Sequence, residues 1–417
     1  MDRKKVYSWA IYDWANSAFA TTVMAGFFPV FFKQYWSQGT DPTLTTARLG
    51  TAITLGSLLI AFLSPFLGAL ADTRGHKKLF CFITMLIGAG ATATLGFVPE
   101  GQWLWAVLVY GIAMMGFNST GVFYDSLLPS VARGKDIHFA SSLGYSLGYL
   151  GGGVLFVFNV LMYLKPHLFG LSSAVEGVKY SFFSVGIWWI CFSIPLFRNV
   201  PEPQVGHDSQ MSLWTATGRS VQSLWKTGQK IYEHKNLFYF LLAYWIYIDG
   251  VFTVMTMAVD FGMSIGFQAS DLIAALLIVQ FVGFPFALLF SQLAQKFGSR
   301  GPILVCLGVY AATVVFATQM TQPWHFYMLA CIIGMVQGGV QALSRSLFTR
   351  MIPAKASGEY FGLFNLVGKF ASIFGPTLVG WGAYLSGEPR MGMLGLLVLF
   401  GLGGTLLFLV EEPSDAA

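Results

Sequence analysis

Charge is what this sequence has least of: Asp, Glu, Lys and Arg together make up 10% of its 417 residues, where a soluble domain carries about a quarter. So little charge cannot cover a water-facing surface, and 55% hydrophobic content with a mean hydropathy of +0.64 points the same way. Apolar runs of at least about 18 residues recur too often for a soluble core to absorb. The chain reads as an all-α integral membrane protein in contact with a lipid bilayer. Cysteine is scarce too: Cys81, Cys191, Cys306 and Cys331 stand singly, with no C-x-x-C spacing, which indicates neither a disulfide framework nor a metal site. The six histidines, at 76, 138, 167, 207, 234 and 325, fall in loops or at run ends, so a proton path at depth would need carboxylates. No H-E-x-x-H or G-x-S-x-G occurs, and Gly368-Lys369 is followed by Phe370 and forms no nucleotide-binding loop, so neither metal, cofactor, enzyme chemistry nor ATP-driven pumping is expected. The net charge of +5 sits in short loops between apolar runs, a membrane pattern and not a nucleic-acid one.

Twelve spans can be drawn, at about 9–32, 49–71, 79–98, 103–128, 139–163, 179–197, 237–262, 271–294, 302–320, 324–351, 359–385 and 391–410. The basic N-terminus precedes a run without a small-residue cleavage site, so it leads into a membrane helix and not a removed signal. With that terminus in the cytoplasm, seventeen of the 24 cations lie on the cytoplasmic side and five outside, leaving Arg345 and Lys369 within spans. That bias predicts both termini inside, in a bacterial inner (plasma) membrane. The longest polar stretch, 199–236, separates an N-terminal six-helix bundle (1–198) from a C-terminal one (237–417). In it Leu213, Val221, Leu224, Trp225, Ile231 and Tyr232 recur at helical spacing among Arg219, Lys226, Lys230 and Lys235. Either an amphipathic helix on the inner leaflet or a plain basic tether fits. The halves repeat weakly, matching Leu70 to Leu293, Ala71 to Ala294, Gly75 to Gly298, and Trp9 and Asp13 to Trp245 and Asp249. Repeated six-span halves are the signature of a secondary transporter with its site between them.

Five ionisable side chains fall inside spans, away from their ends: Asp13 (span 1), Asp125 (span 4), Asp249 (span 7), Arg345 (span 10) and Lys369 (span 11). A charge at bilayer depth costs at least about 2.5–3.5 kcal/mol, so it tends to face a wet cavity or a partner and marks function by default. Polar residues accompany four of them at helical spacing: Asn16, Ser17 and Thr21 with Asp13, Thr253 with Asp249, Gln337, Gln341 and Ser344 with Arg345, and Asn365 with Lys369. Each set shares a helix face, either as a solute-lining stripe or as hydrogen-bonding glue between helices. At about 1.5 Å per residue, Asp249 and Lys369 come roughly 18 and 15 Å deep, near the midplane. Asp13, Asp125 and Arg345 lie nearer the cytoplasmic ends. The expected pairings are Asp249 with Lys369 at the centre, and Arg345 with Asp125 or Asp13 at an inner gate. The five charges sum to minus one, and a carboxylate without a full partner in a dry site can carry a proton. A zwitterionic solute needs a cation and an anion, which the central pair could supply; a permanent structural ion pair is the alternative. Gly144, Gly148 and Gly152 repeat every four residues along span 5 and should let a neighbouring helix approach closely.

Between spans 2 and 3, Gly68-x-x-x-Asp72-x-Arg74-Gly75-x-Lys77-Lys78 resembles the signature loop of the major facilitator superfamily. Tyr12-Asp-Trp-Ala-Asn-Ser-Ala-Phe19, Gln341-Ala-Leu-Ser-Arg-Ser346, Glu359-Tyr-Phe-Gly362 and Gly368-Lys-Phe370 resemble the branch that includes the fungal vacuolar effluxer linked to autophagy and its bacterial homologues. The resemblance implies twelve transmembrane helices in two pseudo-symmetric six-helix halves, with spans 1, 4, 7 and 10 lining a cavity that opens alternately to each side. It implies that Asp72, Arg74, Gly75, Lys77 and Lys78 form a conformational latch, and, for the fungal member, export of amino acids. The second half has Gln295 where the first has Asp72, so that carboxylate's role should be one-sided. The expectation is a monomeric secondary transporter of a small polar solute, with a membrane-embedded enzyme or a non-transporting receptor or scaffold as alternatives. A cysteine at position 210 (Gln210→Cys) should react with an impermeant maleimide only after cells are opened; labelling of intact cells would reverse the topology.

Overall fold

In a computed structural model, residues 2–40, 48, 59–73, 75–202, 213–264, 269–371 and 374–413 are described. The described residues form helices and no strand, and ten of the helical stretches are long and apolar enough to cross a membrane. In chain order, span 1 is Arg3–Trp36, span 2 Leu59–Thr73, span 3 Lys77–Phe97, span 4 Trp103–Val131, span 5 Asp136–Leu164 and span 6 Ala174–Asn199. A linker helix, Leu213–Glu233, follows. Span 7 is Lys235–Ser264, span 8 Ala269–Phe297, span 9 Arg300–Ala317 and span 10 Pro323–Met351. Span 11 is two helices, Ser357–Phe370 and Phe374–Ser386, and span 12 is the shorter Met393–Phe408. Arg74 and the first residues of the expected second span lie outside the described residues.

Buried apolar side chains gather in two cores, one running from Val6 to Val200 and the other from Ile231 to Val410. Their helices end by matching devices. Gly75 at φ +67° and Gly298 at φ +77° donate their N–H groups to the carbonyls of Ala71 and Ala294, each at 2.9 Å. Only glycine adopts that left-handed backbone without strain. The starts of spans 3 and 9 are held alike. Glu202 accepts the Lys78 N–H at 3.1 Å while Val200 carbonyl accepts Lys78 Nζ at 2.7 Å. Glu412 accepts the Arg300 N–H at 2.5 Å while Val410 carbonyl accepts the Arg300 guanidinium at 2.9 Å. A carboxylate is favourable at a helix N-terminus, where unpaired N–H groups carry partial positive charge. Burial raises the Glu202 carboxyl above its ordinary range, against the lowering effect of the Lys78 N–H.

Two departures from regular helix follow from sequence. Span 1 widens to π geometry over Phe19–Phe27 and again over Phe32–Trp36. Pro29 between them has no N–H to give to the ladder, and helices with an interior proline commonly relax in this way. Span 11, expected over 359–385, is helical over Ser357–Phe370 and over Phe374–Ser386, with a turn at Ala371. Pro376 suits a helix start here: its ring is tolerated in the first turn of a helix but clashes in an interior.

The halves meet closely at the end that carries both termini. A Cβ on Gly68 would stand 2.0 Å from the Gly358 carbonyl oxygen, and one on Gly362 would stand 2.6 Å from the Pro65 Cα. Spans 2 and 11 therefore touch backbone to backbone. Spans 5 and 8 are joined by Ser146 donating to Phe284 carbonyl at 2.7 Å, and spans 5 and 10 by Ser141 donating to Ala342 carbonyl at 2.7 Å. Gly68→Val should force this end apart while each half stays folded, so a cysteine at the fully buried Ser141 should gain reactivity; unchanged reactivity would show that the contact is dispensable.

Candidate functional site

Four of the five spans predicted to carry a buried charge bring their charges, or partners for them, to the interface between the halves. Arg345 on span 10, 3% exposed, reaches across to the other half. Its guanidinium donates to Asp125 at 2.9 Å, to Asp13 at 3.4 Å, and to the Ser141 hydroxyl and carbonyl at 3.0 and 2.8 Å. The rings of Tyr145 and Trp9 lie 4.3 and 4.9 Å from its carbon, a placement the weakly hydrated planar cation favours. Tyr124, stacked on Trp9 with centroids 4.4 Å apart, donates to Asp13 at 2.9 Å. Both expected partners of Arg345 thus bind it at once, leaving the cluster one negative charge in excess. Asn365 on span 11 also faces the Asp125 carboxylate.

The glycine ladder of span 5 makes room for this. A Cβ on Gly144 would stand 2.4 Å from the Asp13 carboxylate, on Gly148 2.6 Å from the Ser17 hydroxyl, and on Gly152 2.6 Å from the Thr21 hydroxyl. The polar stripe of span 1 lies in register on the glycine stripe of span 5. Thr21 also accepts Gln280 of span 8 at 2.7 Å, and Asn16 is buried on the same helix. Gln341 reaches the Met255 sulfur at 3.6 Å, and buried Gln337 faces Tyr149.

The expected ion pair between Asp249 and Lys369 does not form. The Asp249 carboxylate accepts the N–H groups of Phe374 and Gly375, each at 3.0 Å, and Thr253 donates to its carbonyl at 2.7 Å. The two helices of span 11 explain this. Its second helix begins with N–H groups at Phe374 and Gly375 that apolar surroundings cannot satisfy, and Pro376 supplies none. Asp249 takes both, so depth alone did not decide its partner. Gly375 is needed for the approach, since a Cβ there would stand 1.9 Å from the Thr253 hydroxyl. Lys369, partly buried near the end of the first half-helix, makes no ion pair or hydrogen bond among the described residues. The mid-span Gly375-Pro376 was the sequence signal for this arrangement.

The signature loop is a buried polar chain linking the halves. Asp72 pairs with Lys77 at 2.6 Å and accepts the Glu359 N–H at 2.7 Å. Lys77, fully buried, donates to Ser357 at 2.8 Å, and Ser357 donates to Ser126 carbonyl at 2.8 Å. Gly75 ends span 2 and Lys78 anchors the chain after span 6, as described above. Composition did not reveal His138, which is buried between Ser346 at 2.6 Å, Ser299 at 3.3 Å and Arg350 at 3.2 Å. Its position at a run end made it look like a loop residue.

Two helical halves, with buried charges and a polar chain between spans 2 and 11 where they meet, have the architecture of the major facilitator fold. The human organic anion transporter MFSD10 superposes with a TM-score of 0.75 at 13% identity, covering 97% of this chain and 99% of that one. The proton:xylose symporter XylE superposes with a TM-score of 0.72 at 14% identity, covering 99% and 95%. In sequence, the chain is 34% identical to the uncharacterized MFS-type transporter YxiO of Bacillus subtilis over 415 residues, 99% of this chain and 96% of that protein. It is 29% identical to autophagy-related protein 22-1 of Penicillium rubens over 294 residues, 65% of this chain and 48% of that protein, so the match spans about half of the fungal relative. Residues 49–138 and 135–415 match the family described as vacuole effluxer Atg22 like, and the chain belongs to that family. It is a multi-pass membrane protein and a secondary transporter of the superfamily.

Removing Arg345 leaves two buried carboxylates unpaired, so Arg345→Met should lower stability by about 3–5 kcal/mol, and adding Asp13→Asn and Asp125→Asn should restore much of it. The effects of Asp249→Asn, which weakens the hold on two N–H groups, and of Lys369→Met, which removes a cation without a partner and so should not destabilise, should simply add, because the two side chains do not meet. Thermal unfolding in detergent reads both, and a large coupling between Asp249 and Lys369 would contradict the geometry.

Proposed function

We propose that this transporter exports a small zwitterionic solute of the amino-acid type in exchange for protons, with both termini in the cytoplasm. The observation that carries the reading is the two-helix span 11, where Asp249 closes one half-helix and Lys369 stands near the end of the other without a partner. A solute carboxylate would bind the Lys369 ammonium. Its own ammonium would replace the Phe374 and Gly375 N–H groups on Asp249, freeing the second half-helix to move. A proton on the same carboxylate also removes an acceptor from those N–H groups. Solute and proton then compete for one group, and mutually exclusive occupancy is what couples their movement in opposite directions. Gln341, Gln337, Asn16, Ser17 and Thr253 would line the path on spans 10, 1 and 7.

The end that carries both termini, closed by Arg345 with Asp13 and Asp125 and by Asp72 with Lys77, is the cytoplasmic gate in this reading. Its contacts favour one of two global states, as a latch must. The N-terminal basic residues and the positive-inside bias support the orientation.

Proteoliposomes loaded with amino acids test the proposal. An imposed proton gradient should drive wild-type efflux against a solute gradient. Asp249→Asn should lose the response to the proton gradient while still exchanging solute for solute. Lys369→Met should weaken solute binding by about tenfold or more, as loss of a charge-assisted contact does. An Asp249→Asn variant that still concentrates solute in response to the gradient would sink the coupling scheme, and absence of any flux would favour a receptor or scaffold.

A further inference from the structure

The linker helix is fastened to the closed end by two hydroxyls on one face. Ser223 and Thr227, four residues apart, donate to the two oxygens of Glu359, the latter at 2.6 Å. Glu359 is 6% exposed and its own N–H is held by Asp72. The linker helix thus joins the polar chain that runs through Asp72, Lys77 and Ser357. About 200° around the same helix, Trp225 and Tyr232 are 73% and 75% exposed. Lys226, also exposed, lies between the two faces, and exposed Lys230 lies at the edge of the hydroxyl face. Tyr232 meets Phe238 at the start of span 7 at 5.9 Å, edge to face, and Phe238 is itself 37% exposed. The aromatic face therefore continues onto the outer surface of a membrane-spanning helix.

We propose that the linker helix is a lipid-dependent clamp: Trp225, Tyr232 and Lys226 seat it on an anionic leaflet, and Ser223 and Thr227 hold Glu359 and with it the closed end. Aromatic rings with one polar edge settle at the headgroup level, and lysines beside them are drawn to anionic lipid. Charge complementarity and continuity with span 7 select the leaflet over a cytoplasmic protein as the occupant. Seating the helix positions its hydroxyls over Glu359, so anionic lipid favours the closed end and its loss releases it. The inference rests on reading this end as the gate, but its test reads structure and not solute flux, so it can fail while the transport scheme stands.

The test uses the full-length protein in nanodiscs of phosphatidylcholine with and without phosphatidylglycerol. Amide hydrogen exchange over 213–233 should be slower in the anionic discs, by on the order of tenfold. Trp225→Ser with Tyr232→Ser should abolish the difference. Equal exchange in the two discs, or a difference that survives those substitutions, overturns the leaflet contact. Spin labels at Arg133→Cys and Lys355→Cys, one on each half, report the closed end. In anionic discs Ser223→Ala with Thr227→Val should move their distance distribution toward that of the wild type in neutral discs, while Thr227→Ser, which keeps the hydroxyl, should not. Unchanged distances in the double variant overturn the clamp.

Discussion

The closed end depends on one buried cation. Arg345 lies on the second half, and its partners Asp13, Asp125 and Ser141 lie on the first. In apolar surroundings its guanidinium is stable only with its charge matched and its N–H groups bonded. Spans 1, 4 and 5 must therefore converge on it, which requires Gly144 beside Asp13. The rings of Trp9, Tyr124 and Tyr145 wall it off. Every member of the cluster is a group that water can also solvate.

A second constraint acts on the backbone. Where the second helix of span 11 begins, the N–H groups of Phe374 and Gly375 need acceptors and Asp249 provides them. Two classes of carboxylate result: Asp13 and Asp125 answer a side-chain cation, and Asp249 answers a helix N-terminus. Only the second holds a backbone element, the start of the Phe374–Ser386 helix.

Repetition and its failure are both informative. Gly75 and Gly298 end spans 2 and 8 identically, and Glu202 and Glu412 hold spans 3 and 9 in parallel. The polar chain through Asp72 is not repeated. Asp72 holds span 11 through Glu359, while on the other side, where the second half has Gln295 in the matching place, His138 of span 5 meets Ser299, Ser346 and Arg350. The two sides of the closed end are therefore fastened by different chemistry.

Much was legible before any coordinates. Scarce charge and recurring apolar runs determine a helical membrane protein, because only helices and closed barrels satisfy the backbone in hydrocarbon and barrel strands alternate in place of long apolar runs. The cost of burying charge singled out Asp13, Asp125, Asp249, Arg345 and Lys369, and the four-residue spacing of Gly144, Gly148 and Gly152 marked the helix that span 1 approaches. The pairing of those charges was not legible. Asp249 and Lys369 share a depth, but direction around a helix and the turn at Ala371 decide contact. Likewise the repeated Val-x-Glu-Pro at 200–203 and 410–413 stood in view, yet nothing local says that each glutamate caps a helix more than a hundred residues away. Composition and periodicity determine which residues must be buried, since transfer free energy belongs to each side chain. Only the tertiary structure decides which of them meet, since a hydrogen bond depends on two positions fixed by separate parts of the chain.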